Sequence, residues 1–192
     1  MKKVVNIVIA GVGGQGVLMA SKVLAESALA SAMDVKQNEV HGMAQRGGSV
    51  ISFVRIGEEV FSPVVMPGTA DILISFEPLE ALRHLHYLKP GGKLVYNKAT
   101  INPSTVASGM ATYPQDVEER IAAACPHAVG IEAFSIAREA GNSKAVNMVM
   151  VGAVMKNLPL TPEVVQAVVK EISRDKGLEV NMKALEGGAA AA

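Results

Sequence analysis

Residues 11–16 form a glycine-rich hexapeptide with the sequence Gly11-Val12-Gly13-Gly14-Gln15-Gly16. The hexapeptide follows an apolar run at residues 4–10 and precedes an Ala- and Leu-rich segment at residues 17–31. A short apolar run of this kind is typical of a buried parallel strand, and the glycines permit a tight turn into the helix that follows. The order of strand, glycine turn and helix predicts the beginning of an open α/β sheet.

The start of the predicted helix can hold an anion, because its first N–H groups have no partner within the helix. The candidate cofactor-binding residues are therefore Gly11, Gly13, Gly14, Gln15 and Gly16. A dinucleotide site also needs an acidic residue at the end of the second strand, about 20 residues further on. Asp34 falls at the start of that strand and Glu39 in a later polar run. Neither residue stands at the position that a dinucleotide site requires. The sequence therefore leaves two alternatives: the loop holds a cofactor, or it serves only the fold.

The composition argues against several classes of function. A formal net charge of zero and 4% aromatic residues give no electrostatic or stacking case for nucleic acid. Cys125 is the only cysteine, so neither an internal disulfide nor a self-contained cysteine-ligated iron–sulfur cluster is expected. The histidines show no metal-ligand spacing, no apolar run reaches about 18 residues, and no signal-peptide pattern is present. We expect a cytoplasmic protein without a metal site, membrane span or nucleic-acid partner.

Strands and helices alternate along the rest of the chain, which predicts a three-layer α/β domain. Residues 49–56 and 60–66 both have strand-like patterns and are separated by a short turn, so we expect an inserted β-hairpin there. The predicted fold is a Rossmann-like open sheet that is mostly parallel and carries this hairpin. We expect residues 1–186 to form a single domain and residues 187–192, Gly-Gly-Ala-Ala-Ala-Ala, to form a disordered tail.

A second motif, residues 39–49, collects polar side chains between glycines. Because the motif follows a predicted strand, it should lie at the carboxyl end of the sheet, where open α/β folds bind ligands. An arginine there can pair with a carboxylate or a phosphate, and a histidine can carry a proton. A solvated loop whose charges pair with each other or with a partner chain is an equal alternative. The candidates for an interface or active-site loop are Glu39, His41, Gln45 and Arg46.

A third motif, residues 141–147, precedes a long apolar helix. Asn142 or Ser143 is a typical helix N-cap, and Asn147 then lies one turn into the helix. A buried Asn needs hydrogen-bond partners, and the glycine-loop backbone or a neighbouring subunit would provide them. We add Asn142 and Asn147 to the candidate interface or active-site residues, although a capped core helix explains them as well. We assign no catalytic residue, since Cys125 fits the role of a small apolar filler.

Four motifs occur together and in order: residues 11–18 (GVGGQGVL), 39–50 (EVHGMAQRGGSV), 76–82 (FEPLEAL) and 142–147 (NSKAVN). This combination resembles the gamma-type domain of 2-oxoacid:ferredoxin oxidoreductases, and the resemblance covers residues 4 to about 186. The second and third motifs favour the indolepyruvate branch of that family. Such a combination is far more specific than the glycine loop alone.

The resemblance implies that the chain is a small subunit of an enzyme that oxidatively decarboxylates a 2-oxoacid, such as an arylpyruvate, to an acyl-CoA and passes electrons to ferredoxin. It also implies that thiamine diphosphate, Mg²⁺ and 4Fe-4S clusters belong to a large alpha subunit, with coenzyme A as co-substrate. This chain, which has no Gly-Asp-Gly thiamine motif, would bind no cofactor alone and be inactive alone. Its glycine loop and second motif would face the partner or its coenzyme.

Two other functions remain open at this point. One is a standalone NAD(P)- or FAD-binding Rossmann oxidoreductase, which predicts that the purified chain binds a dinucleotide. The other is a non-enzymatic assembly or regulatory subunit, which predicts complex formation without any effect of loop mutations on turnover. The high hydrophobic content, 49%, fits either a large aliphatic core or an apolar face that is buried against a partner.

Overall fold

The computed structural model describes residues 4–41, 47–173 and 177–192. The strands in these ranges are β1 (Val5–Val12), β2 (Asp34–His41), β3 (Ser49–Gly57), β4 (Ala70–Ser75), β5 (Leu88–Asn97) and β6 (Val129–Ile131). The helices are α1 (Val17–Ala30), α2 (Pro78–His84), α3 (Ser104–Ala107), α4 (Val117–Ala124), α5 (Ala133–Glu139), α6 (Val146–Val154), α7 (Pro162–Ser173) and α8 (Leu178–Ala191).

The strands form one sheet in the order β2-β3-β1-β4-β5-β6. β3 runs antiparallel to both of its neighbours, whereas β1, β4, β5 and β6 pair in parallel. The carboxyl ends of β1, β4 and β5 consequently meet at one edge, where Ala10 pairs with Ser75 and Ser75 pairs with Tyr96. The prediction of a mostly parallel open sheet is confirmed.

Helices cover both faces of the sheet because its central strand is apolar on both sides. Ile7 and Ile9 of β1 belong to a core shared with α1, α5, α6, α7 and α8. Val8 and Ala10 point to the opposite face and belong to a core shared with α2 and α4. The predicted three-layer arrangement is therefore confirmed. Within the described ranges, no helix is long and apolar enough to cross a membrane.

The predicted hairpin of residues 49–56 and 60–66 is wrong. β2 and β3 form the antiparallel pair, and residues 60–66 lie outside the sheet. The Val60 N–H donates instead to the Asp34 carboxylate, at 2.8 Å, and Pro63 has no N–H to give to a strand ladder. Val60 and Val65, near the two ends of this segment, are buried. Its apolar side chains therefore reflect packing against the domain at these two points and not the alternation of a strand.

The expectation of a disordered tail is wrong for residues 187–191, which belong to α8. Two glycines explain the ordering, because they bring α6 and α8 into backbone contact. A Cβ atom at Gly188 would lie 2.0 Å from the carbonyl oxygen of Val149, and one at Gly152 would lie 2.0 Å from that of Leu185. Since no other residue type permits such an approach, Gly188, one of the two glycines that suggested fraying, is a packing feature.

Candidate functional site

The carboxyl ends of β1 and β4 enclose a crevice. The chain leaves β1 through α1 toward β2 on one side of the sheet, and it leaves β4 through α2 toward β5 on the other. Open α/β sheets bind ligands at such a switch point, because the two connections diverge and leave a gap above the strand ends. The glycine loop, residues 11–16, forms one wall of this gap.

The glycines of the loop have two different roles. Gly14 and Gly16 have φ angles of 102° and 92°, in the left-handed region that favours glycine. Gly16 is also the N-cap of α1, where its carbonyl accepts from the Ala20 N–H at 3.0 Å and no side chain caps the helix. At Gly11, by contrast, a Cβ atom would lie 2.8 Å from the Val17 side chain. Gly11 therefore serves packing, and Gly14 and Gly16 present backbone to the crevice.

Gln15 connects the two strand ends that border the crevice. Its Oε1 accepts from the Val12 N–H at 2.6 Å, and its Nε2 donates to the Phe76 carbonyl at 2.8 Å. Val12 ends β1, and Phe76 directly follows β4. Because both ends of the amide are engaged within the chain, Gln15 holds the crevice in shape. Its contribution to cofactor binding stays a prediction.

Asn97, at the end of β5, continues this network. Its Nδ2 donates to the Phe76 carbonyl at 3.2 Å, and its Oδ1 accepts from the Ala133 N–H at 3.1 Å. The side chain is 2% exposed and thus ties β4, β5 and the start of α5 together. Our sequence analysis did not identify Asn97. The available signal is a single amide directly after the short run Leu94-Val95-Tyr96.

Two clefts flank the glycine loop. The larger one has a volume of about 540 Å³ and includes Gly14, Gly16, Asn97, Ile101, Phe134 and Lys144 in its lining. Ile101 and Phe134 are 37% and 48% exposed, so they give this cleft an open apolar side. The smaller one, about 410 Å³, lies between the start of α1 and the β2–β3 pair. The backbone of Gly14 and Gly16 lines both.

The third sequence motif lies beside the larger cleft. The Asn142 side chain accepts from the Lys144 N–H at 3.0 Å, so the predicted cap is present, but it caps the 3-10 turn Ser143–Ala145 that leads into α6. Asn147 contacts the glycine loop, since a Cβ atom at Gly16 would lie 3.1 Å from its side chain. The Asn147 Oδ1 accepts from the Met148 N–H at 2.9 Å. The motif thus supports the loop, and its predicted role at an interface stays a prediction.

The second motif is described only in part. Glu39 lines the smaller cleft together with the glycine loop, and His41 is the last residue of β2. Gln45 and Arg46 lie outside the described residues. Where the chain is described again, the Gly48 carbonyl accepts from the Gly13 N–H at 2.8 Å. This bond brings the end of the second motif against the glycine loop, as the sequence predicts for two loops at one edge of a sheet.

Glu77, a carboxylate that is 1% exposed, fixes the far wall of the crevice. One oxygen accepts from the Tyr113 hydroxyl at 2.6 Å, and the other caps α2 by accepting from the Glu80 N–H at 2.9 Å. Burial raises the pKa of Glu77, and these hydrogen bonds reduce the shift without cancelling it. Burial and the hydrogen bond to Glu77 also raise the pKa of Tyr113, so its phenol stays a donor.

Replacing Tyr113 by Phe should destabilise the domain more at neutral than at acidic pH. Glu77 loses a donor and its pKa rises further, so the penalty for a buried carboxylate grows by about 1.5–3 kcal/mol at about pH 7. The pKa of Glu77 is higher in the folded protein than in the unfolded chain, where it is 4.5. The contribution of Glu77 to the free energy of unfolding is therefore fully present below pH 4.5 and is lost as the pH rises through the pKa of the folded protein. Urea unfolding at about pH 7 and about pH 4 measures this difference. Equal losses at both values would show that the hydroxyl contributes only packing.

A second buried carboxylate, Glu80, joins α2 to the start of β3. It accepts from the Ser49 hydroxyl, lies 3.0 Å from Arg83 Nη1 and lies 3.4 Å from His84 Nε2. Burial alone would raise the pKa of Glu80. The hydrogen bonds from His84 and Ser49 and the charge of Arg83 outweigh burial, so this pKa is lowered. The ionised carboxylate anchors Ser49, the first residue of β3, at the end of the second motif.

The donor groups of the described residues do not fit an iron–sulfur cluster or a bound metal. Among the described residues, no three His, Cys, Asp or Glu side chains are placed to hold a metal ion. The single cysteine, Cys125, follows α4, whereas a cluster takes about four thiolates. The site offers backbone N–H groups, one lysine and an apolar wall. These groups can bind and orient an anionic or partly apolar partner.

The fold and the crevice together define a class of protein. It is a doubly wound α/β domain with a glycine loop at the switch point and two clefts beside that loop. Its described residues provide surfaces for binding rather than a metal centre. Comparison with known proteins gives the family within this class.

The chain belongs to the pyruvate ferredoxin/flavodoxin oxidoreductase family, whose model matches residues 6–191. It is 43% identical to the indolepyruvate oxidoreductase subunit IorB of Thermococcus kodakarensis, over 97% of this chain and 95% of that relative. The ketoisovalerate oxidoreductase subunit VorA of Methanothermobacter marburgensis is 32% identical over 96% of this chain, which spans 36% of VorA. The crystal structure of the keto/oxoacid ferredoxin oxidoreductase gamma subunit from Geobacter sulfurreducens has the same fold, with a TM-score of 0.71, 22% identity and 97% coverage of both chains.

Proposed function

We propose that this chain is the small subunit of an indolepyruvate:ferredoxin oxidoreductase. Such an enzyme oxidatively decarboxylates an arylpyruvate to an acyl-CoA, and the electrons pass to ferredoxin. The observation that carries the proposal is the 43% identity to IorB over 97% of this chain and 95% of the relative. An alignment that spans both chains compares whole subunits. It therefore supports a subunit function more directly than the match to part of VorA.

The cofactors of this chemistry are assigned to a larger partner subunit. Thiamine diphosphate and iron–sulfur clusters would supply the decarboxylation and the electron transfer. This chain has one cysteine, and its described residues include no metal-binding group. On this proposal the chain is inactive alone. It covers a face of the partner and shapes the active site that the two subunits share, with coenzyme A as co-substrate.

The larger cleft is the surface that we place against the partner or its coenzyme. The backbone at Gly14 and the amino end of α1 suit a phosphate or a carboxylate. Lys144 adds a cation, and Ile101 and Phe134 add apolar surface. A ligand or protein segment with an anionic end and an apolar end matches this arrangement. The smaller cleft, with Glu39 in its wall, extends the same surface around the glycine loop.

Reversing the charge of Lys144 tests this placement. In the assembled enzyme, Lys144→Glu should raise the KM for coenzyme A or the Kd between the subunits by about tenfold, because a hydrogen bond to a charged group contributes about 1.5–3 kcal/mol. Steady-state kinetics and a binding titration measure the two quantities. Lys170→Glu, on the exposed side of α7, is the matched control. If the two variants behave alike, the cleft faces neither coenzyme A nor the partner subunit.

The subunit assignment is tested by anaerobic purification of the tagged chain from its native host. Metal and thiamine analysis of the co-purified protein should reveal a large subunit that contains iron and thiamine diphosphate. The reconstituted pair should oxidise indolepyruvate with ferredoxin as acceptor, and neither subunit should do so alone. A colourless chain that purifies alone and binds NAD or FAD would overturn the assignment.

The arrangement of strands gives less support to a standalone dinucleotide enzyme. In a dinucleotide-binding domain the strand with the ribose-binding acid lies beside β1. Here β3 lies between β1 and β2, which moves Glu39 away from β1 by one further strand spacing, about 4.8 Å. A non-enzymatic assembly subunit predicts the opposite of the Lys144 result, namely complex formation with unchanged kinetics.

A further inference from the structure

Three large apolar side chains project from the segment between β3 and β4. Phe61, Val64 and Met66 are 86%, 46% and 63% exposed, and we call these three residues the apolar knuckle. Aromatic residues and Met are enriched at the cores of protein interfaces relative to other surfaces. Phe61 is one of only four phenylalanines in the chain, so its exposure in water is a feature that the fold itself does not explain.

The segment that carries the knuckle is held firmly to the domain. Val60 and Val65, which directly precede Phe61 and Met66, are 3% and 2% exposed. The Ser62 carbonyl accepts from Arg55 Nη1 at 2.8 Å, and the Val60 N–H donates to Asp34 at 2.8 Å. These anchors fix the exposed side chains in place. A partner would therefore meet a preformed surface and would not have to order a loop.

The knuckle lies at the edge of the sheet opposite the clefts. Arg55, which bonds Ser62, also donates through Nε to the Asn6 side chain at 2.8 Å. The Asn6 amide in turn donates to the Thr69 carbonyl at 3.0 Å. Asn6 is at the beginning of β1, whereas the glycine loop follows the end of that strand. A partner on the knuckle would leave the clefts free.

Both ends of the domain lie away from the clefts. β1 begins there, beside the knuckle segment. α6 begins at the cleft, where Asn147 contacts Gly16, and runs away from it. Lys156, just beyond the far end of α6, donates to the carbonyl of Ala192 at 3.4 Å. The last residue of α8 therefore also lies away from the clefts.

The longer relative shows why this location matters. This chain spans 36% of VorA, so the remaining polypeptide of VorA must join the equivalent domain through its first strand or its last helix. In the present fold both of these points lie away from the clefts, and the first lies beside the apolar knuckle. A remainder that joins through the first strand thus starts beside the surface that the knuckle occupies here.

We infer that the apolar knuckle is a docking surface for the large subunit of the enzyme. The inference rests on the proposed function, since it takes its partner from there. It adds a contact at the amino edge of the sheet to the one proposed at the clefts. Phe61 is the expected anchor, because it is the largest and most exposed of the three side chains and aromatic anchors dominate interface energetics.

The test measures binding of the large subunit, isolated from the native complex, to wild-type and variant chains by an anaerobic titration. Phe61→Asp should raise the Kd about thirtyfold or more, as expected for the loss of an interface hot spot. Met110→Asp is the matched control, since Met110 is 77% exposed and lies outside the knuckle. Urea unfolding should be unchanged in both variants, because neither side chain packs in the core.

Three results would overturn the inference, and they are distinguishable. If the wild-type chain binds the large subunit and Phe61→Asp binds equally well, the docking surface is elsewhere and the proposed function stands. If the wild-type chain fails to bind, the proposed function and the inference fail together. If the chain alone forms dimers that Phe61→Asp abolishes while binding to the large subunit is unchanged, the knuckle serves a second copy.

Discussion

Replacing Gly188 by Ala should lower the free energy of unfolding by about 3 kcal/mol or more, the upper part of the range for overpacked cores. The new Cβ would lie 2.0 Å from the carbonyl oxygen of Val149 and 2.7 Å from its carbonyl carbon. Backbone atoms within a helix cannot rotate away, so α8 must move from α6. Helix propensity alone predicts the opposite sign, since Ala is about 1 kcal/mol better than Gly in a helix.

Neighbouring positions provide the controls for this prediction. Gly187→Ala introduces a Cβ whose near contact is the Ile136 Cγ2 methyl, at 2.6 Å. That side chain can adjust, so the loss should be smaller than for Gly188. Gly152→Ala on the facing helix should reproduce the Gly188 effect, because its Cβ would lie 2.0 Å from the Leu185 carbonyl oxygen. Urea unfolding curves give the three values. A Gly188→Ala protein as stable as wild type would refute the backbone contact.

Replacing Gln15 by Glu should disrupt the crevice, because it exchanges the donor Nε2 for an acceptor oxygen. The carboxylate can still accept from the Val12 N–H, but its second oxygen faces the Phe76 carbonyl, and two acceptors repel. Leaving buried polar groups without partners costs about 1–3 kcal/mol each, and more when a charge is involved. We expect a loss of about 3 kcal/mol in the free energy of unfolding and at least about tenfold lower turnover in the assembled enzyme, since a misplaced site residue has effects of this order.

Gln37→Glu is the matched control for this substitution. Gln37 is exposed and donates to the Ser21 hydroxyl at 2.7 Å, and that hydroxyl donates to the Leu18 carbonyl at 3.0 Å. A carboxylate at residue 37 stays hydrated and can take the Ser21 proton in place of the Leu18 carbonyl. The same chemical change should therefore have little effect at residue 37. Chemical denaturation and steady-state kinetics of both variants test the difference. Similar losses at the two positions would show that the added charge, and not the Phe76 contact, is responsible.

The sequence predicted those parts of the fold that depend on neighbouring residues. The apolar run, the glycine turn and the following helix identified β1 and α1, because strand burial and turn chemistry are local properties. The cap at Asn142 was predicted for the same reason. The glycine loop was one of two partners that the sequence left open for Asn147, and only the structure places Asn147 against Gly16. The family was also predicted from motifs alone, and the match over residues 6–191 confirms it.

The hairpin and the C-terminal residues could not be predicted in this way. Residues 60–66 have the pattern of a strand, yet the Asp34 carboxylate, 26 residues away in sequence, takes the Val60 N–H. Gly187 and Gly188 have the composition of a tail, yet Gly188 fits against a helix that is distant in sequence. Composition does not reveal which partner a segment meets in space.

What the sequence by itself determined is the α/β class, the edge of the sheet at which the glycine loop lies, and the family. Each of these follows from local periodicity or from contiguous motifs. Only the tertiary structure decided that β3 lies between β1 and β2, that Gln15 joins two strand ends, and that Phe61 is exposed while Val65 is buried. These features depend on contacts between distant residues, as between Gln15 and Phe76, which are 61 positions apart. Such contacts form only when the whole domain packs, because hydrogen bonding and burial are settled by three-dimensional neighbours.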